Sequence, residues 1–136
     1  MPYTVLSHTA DTGIEATADT FPRLLRDLGA GMFGLMGNPE PCATDRLVEV
    51  GVESASYEDL VVDVLSELLY QSEIEDLFLC WFEVEATGPI RVHVTASGVA
   101  NAGVELTGPP IKAVTYHDVT VTKTDQGWYG RVYFDV

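Results

Sequence analysis

Between residues 48 and 84 the apolar pattern changes period twice, and this restricts the available folds more than any other feature of the chain. Val48, Val50 and Val52 alternate with Glu49, Gly51 and Glu53, as on a half-buried strand whose successive side chains point to opposite faces. From Tyr57 to Ser72 the apolar residues instead fall at helical spacing. Leu60, Val61, Val64, Leu65, Leu68 and Leu69 share one face, and Ser56 with Asp59 forms a capping-box-like start. Leu77 to Val84 is then a nearly continuous apolar run of the kind a central strand needs.

The remaining segments repeat these two patterns. Ile14, Ala16 and Ala18 alternate with Glu15, Thr17 and Asp19. Phe21 to Met36 reads as a helix through Leu24, Leu25, Leu28, Met32 and Leu35, with Thr20 as N-cap and Gly37 just past the end. Gly29, Gly31 and Gly34 weaken that helix locally or let another element pack close. Ile90, Val92 and Val94 resume the strand period after Gly88-Pro89, which predicts a hairpin with Leu77 to Val84. Ala113 to Lys123 and Trp128 to Asp135 flank a short connection and predict a second antiparallel pair. The expected class is therefore α+β, a mostly antiparallel sheet with two helices packed on one face. With 136 residues, no repeat and no long linker, a single domain over 1–136 is expected.

Charge narrows the function. Twenty-one acidic residues stand against 7 basic ones, a net of −14. A surface of that sign repels phosphate backbones, so no direct nucleic-acid binding is expected, and any role in RNA metabolism has to run through a protein partner. Few lysines among many Asp and Glu also suit a high-salt cytoplasm, where repulsion is screened, so a halophilic source is expected. No run approaches the roughly 18 apolar residues of a membrane span, and no basic region with an apolar block marks a secretory leader; a cytoplasmic protein is expected. Cys42 and Cys80 lack metal-site spacing; a disulfide between them is open but unindicated, and two buried free thiols are expected.

Phosphate-loop, dinucleotide, zinc-protease and nucleophile-elbow motifs are all missing, and no nucleophile stands at a recognisable spacing from a base. Asp59, Asp63 and Glu67 recur every fourth residue and read as one solvated helix face. What remains is oxygen donors near the two ends. Asp11 follows His8 in a turn between the first two strands, and Asp135 stands beside the terminal carboxylate of Val136. Carboxylates held together without Lys or Arg repel one another unless a hard cation sits among them, and oxygen ligands favour Ca²⁺, Mg²⁺ or Mn²⁺ over Zn²⁺. On spacing alone, Asp11 is a turn residue, Asp135 a solvated terminal residue, and His8 and His117 hydrogen-bonded strand-end histidines.

Three separated motifs change that reading. His8-Thr9-Ala10-Asp11-Thr12-Gly13-Ile14-Glu15-Ala16, Ile111-Lys112-Ala113-Val114-Thr115-Tyr116-His117 and Phe134-Asp135-Val136, in this order, resemble the archease family over the whole chain. The resemblance implies a compact α+β fold with a calcium-type site at Asp11, Asp135 and Val136. It also implies a non-enzymatic cofactor of an RtcB-type RNA ligase in tRNA splicing, promoting guanylylation of the ligase's own histidine and restoring its turnover. Lys112 and His117 are candidate partner contacts. One stretch departs from the family pattern: Ser97 to Gly103 stands where a more charged segment with a Gly-Glu pair is expected, so any contact made there is in doubt. The alternative from another class is a general chaperone or assembly module for proteins of RNA metabolism, without a part in any chemical step. Oligomeric state and the resident metal are left open.

Overall fold

The computed structural model describes residues 2–7, 12–43 and 46–136. The first half holds β1 (Tyr3–Ser7), β2 (Thr12–Ala18), α1 (Phe21–Gly34), β3 (Gly37–Asn38), β4 (Arg46–Glu53) and α2 (Tyr57–Glu75). The second half holds β5 (Leu77–Gly88), β6 (Arg91–Ala100), a short 3-10 turn (Asn101–Gly103), β7 (Glu105–Leu106), β8 (Ala113–Val114), β9 (Thr120–Thr124) and β10 (Gly127–Asp135). The class is α+β, and the strand pairs are antiparallel.

The strands divide among three sheets. β10 is central in the largest, with β2 and then β1 on one edge and β8 and β9 sharing the other. β4, β6 and β5 form the second in that order, and β3 with β7 the third. Both helices start as their caps dictate: Thr20 Oγ1 accepts from Arg23 N at 3.3 Å, and Ser56 Oγ from Asp59 N at 3.1 Å. α2 stops at Asp76, whose φ of 52° takes the left-handed conformation.

Leu24, Leu28 and Met32 of α1 and Leu60, Val61 and Leu65 of α2 are fully buried, against Ile14, Val132 and Phe134 of the large sheet and Val48, Val50 and Val94 of the second. That burial supplies the main driving force. Phe21, Tyr57 and Trp128 hold the two helix starts to the start of β10, with ring centroids 4.9 to 5.4 Å apart. At the other end Phe33 meets Phe78 at 5.6 Å and Phe82 at 5.9 Å. The expected close approach at the α1 glycines occurs at Gly31, where a Cβ would stand 2.9 Å from both Ile14 and Tyr3.

Three expectations are corrected. Ala113 to Lys123 is not one strand: residues 115–119 leave the ladder, because Thr115 N and Oγ1 both bond Tyr133 O at 3.0 Å and Asp118 turns the chain with φ 52°. β5 is not central but an edge strand of its sheet. Its apolar run arises from a bulge: Leu79 pairs with Gly98 and Trp81 with Ser97, leaving Cys80 as the extra residue and shifting the phase of the buried side chains. Finally, Cys42 and Cys80 are not free thiols. The bulge takes Cys80 out of the ladder, and it is bonded to Cys42 in the loop after β3, with the two Cα atoms 6.0 Å apart.

Candidate functional site

The alternation along β10 sorts its side chains. Val132 and Phe134 face the core with no exposure, while Arg131, Tyr133 and Asp135 occupy the opposite face. Gly13 stands directly across from Tyr133, and a Cβ there would lie 2.5 Å from the ring, so the phenol lies against the bare backbone of β2. The strand ends in Asp135, exposed, and Val136, half-buried with its side chain on the core. Lys112 N donates to Asp135 O at 2.7 Å, and Ala113 pairs with Asp135, which fixes the position of this strand end.

The segment 115–119 arches between β8 and β9 beside that end. Arg131 secures it from below, with Nε donating to Asp118 O at 3.2 Å and Nη2 to Thr120 Oγ1 at 3.0 Å. The His117 ring sits 6.3 Å from the Tyr133 ring, with Nε2 at 3.2 Å from Asp118 Oδ2. Tyr116 secures the arch to α2 by donating to Asp63 Oδ1 at 3.0 Å, while Ser54 Oγ donates to Asp63 Oδ2 at 2.6 Å. Asp63 is therefore half-buried and bonded, not part of a solvated face.

The Asp63 bond holds the Tyr116 phenol above its ordinary 10.0, with a smaller contribution from burial. A folded pKa raised above the unfolded one means the bond contributes fully below pH 10 and is lost as pH climbs through the raised value. Tyr116→Phe should leave the melting temperature nearly unchanged, remove one late-ionising tyrosine from an ultraviolet titration, and speed amide exchange across 115–119 severalfold. Unchanged exchange there would mean the arch does not depend on this bond.

The structure thus gathers four of the five residues singled out in the sequence, Lys112, His117, Asp135 and Val136, at one end of the large sheet. The fifth, Asp11, lies outside the described residues, as does His8. The described residues on either side of them are Ser7 and Thr12, which pair with each other, and Thr12 also pairs with Phe134. Among the described residues no group of three His, Cys, Asp or Glu side chains is placed to hold a metal, and none provides Asp135 with an ion pair. Asp135 thus offers one exposed carboxylate that no described residue ion-pairs, an oxygen donor of the kind hard divalent ions take. Sequence reasoning missed Asp63, Tyr116 and Arg131, which position the arch; no local pattern signals a bond between residues so far apart along the chain.

Among the described residues no helix is long and apolar enough to cross a membrane. Residues 3–136 match the model of the Archease protein family (MTH1598/TM1083). The archease of Methanosarcina barkeri is 32% identical over 142 residues, covering 98% of this chain and 95% of the relative. That of Methanopyrus kandleri is 28% identical, with both chains covered in full. The solution structure of Methanobacterium thermoautotrophicum protein 1598 superposes with a TM-score of 0.71 at 22% identity, covering 99% of each chain. The crystal structure of an archease, possible chaperone, from Thermotoga maritima gives 0.68 at 20% identity, covering 96% of this chain and 94% of the other.

Proposed function

The chain belongs to the archease family, and from that membership we propose that it is a protein cofactor of an RtcB-type RNA ligase in tRNA splicing, promoting the ligase's guanylylation and its return to turnover. The observation that carries this reading is the end of β10: an exposed carboxylate, Asp135, on a fixed strand end, with Lys112 bonded beside it and the His117 arch next to it. A molecule of net charge −14 does not approach RNA readily, but it suits a ligase surface that is itself built to hold phosphate and cations.

Asp11, Asp135 and Val136 are the residues that would hold a divalent ion, calcium by family resemblance. When bound, that ion supplies the positive charge that lets the carboxylates converge. The chain's own part is positioning. The Lys112 amide occupies the Asp135 carbonyl, and the Val136 side chain packs on the core, so the Asp135 carboxylate is presented outward at a fixed place. Docking of this acidic end at the ligase's nucleotide-binding cleft favours the arrangement competent for guanylylation, and Lys112 and His117 contact the ligase around it. The protein contributes no catalysis of its own.

Multiple-turnover ligation by the cognate ligase, with and without this protein at matched salt, tests the reading. Stimulation well beyond one turnover per ligase is expected. No stimulation, together with improved ligase solubility whatever stands at position 135, would instead support a general chaperone.

A further inference from the structure

The C-terminal ends of α1 and α2 converge on a cavity that the reading above does not use. Its volume is about 240 Å³, and Phe33, Met36, Leu69, Phe78, Leu106 and Ile111 supply most of its apolar lining. Leu106 is 71% exposed at its mouth, and Ile74, one residue after the lining Glu73, is 55% exposed. A second depression, lined by Tyr70 and Lys112, shares Leu69 and Glu73 with it and leads toward the end of β10.

Three physical facts restrict the occupant. The volume lies below the roughly 300 to 1,000 Å³ of ordinary small-molecule sites but accommodates one large apolar side chain. Two helix C-termini bring partial negative charge to this end and neither last turn carries a basic residue, although Arg46, which donates to Glu75 O, offsets part of that of α2. Glu73 adds a full charge on the rim, and Glu105 precedes Leu106. A second copy of this chain, with its own net charge of −14, is therefore a poor occupant.

We propose that this cavity receives a Leu- or Met-sized side chain of a protein partner, presented on a segment whose neighbouring residues are Lys or Arg. For the partner's identity this rests on the ligase reading; for the chemistry of the segment it does not. The apolar anchor fills the cavity, and its basic flanks meet Glu73 and the helix ends.

The test titrates methyl-labelled protein with a synthetic peptide carrying one central Leu between Lys and Arg residues, and with the same peptide bearing Glu flanks. The basic peptide should shift the Leu69, Leu106 and Ile111 methyls and the acidic one should not. Leu106→Lys and Glu73→Lys, both at exposed positions, should each weaken binding by about fivefold or more, whereas Asp135→Asn should leave it unchanged. Equal shifts with both peptides, shifts confined to other methyls, or none at all would overturn the assignment. The same variants are then measured for binding to the cognate ligase. A wild type that binds the basic peptide but not the ligase refutes the ligase reading and leaves the cavity assignment standing. Wild-type ligase affinity in both variants refutes the ligase as the cavity's occupant and leaves the ligase reading at the end of β10 standing.

Discussion

Gly98→Ala is expected to destabilise the protein by about 3 kcal/mol, at the upper end of what overpacked sites cost. A Cβ at Gly98 would stand 1.8 Å from the Phe78 carbonyl oxygen, 2.6 Å from its carbon and 2.8 Å from Leu79 Cα. All three are backbone atoms of β5, so no rotamer change relieves the clash. The variant has to push β5 away from β6 or dissolve the bulge at Cys80, and either loosens Phe78 from Phe33. Urea unfolding should show the loss as a lower midpoint, with the melting temperature falling by about 10 °C. A midpoint close to wild type would mean that β5 and β6 lie farther apart than described.

Breaking the Cys42–Cys80 bond should have an effect of similar size, through a different state. The two residues are 38 apart in sequence, and closing a loop of that length removes entropy from the unfolded chain worth roughly 3 to 4 kcal/mol. The Cys42→Ser, Cys80→Ser double variant, and wild type under strong reductant, should both unfold at markedly lower urea than oxidised wild type. Two titratable thiols in the native, unreduced protein would contradict the pairing. Because Gly98 shapes the bulge that displaces Cys80, the two perturbations share one structural element. Their combined cost should fall short of the sum.

The helices were the most legible part of the fold because their burial is periodic within one segment. The apolar face from Leu60 to Leu69 and the caps at Thr20 and Ser56 each require only neighbours a few residues away. The alternating strands β2 and β4 were legible for the same reason. What escaped depends on partners distant in sequence. Nothing near Cys80 says that Gly98 lets β5 bulge there, and nothing near Tyr116 says that Asp63 holds it; a carboxylate with spacing of four looks solvated until its bonds are seen. The same contrast holds at the site. Motif resemblance picked out Lys112, His117, Asp135 and Val136; the register of β8 and β10 sets Lys112 beside Asp135, and the Thr115–Tyr133 bond starts the arch that carries His117 to the Tyr133 ring. The apolar cavity draws its lining from five separate segments, and no one of them signals it.

The decisive measurement is guanylylation of the cognate ligase, followed as covalent label on the ligase with wild type, Asp11→Ala and Asp135→Ala at matched salt. Asp135 is exposed, so its variant should melt with wild type, and the wild-type protein should accelerate labelling while both variants give the rate of the ligase alone. An Asp135→Ala protein that accelerates labelling as well as wild type would contradict the claim that the acidic strand end is what acts on the ligase.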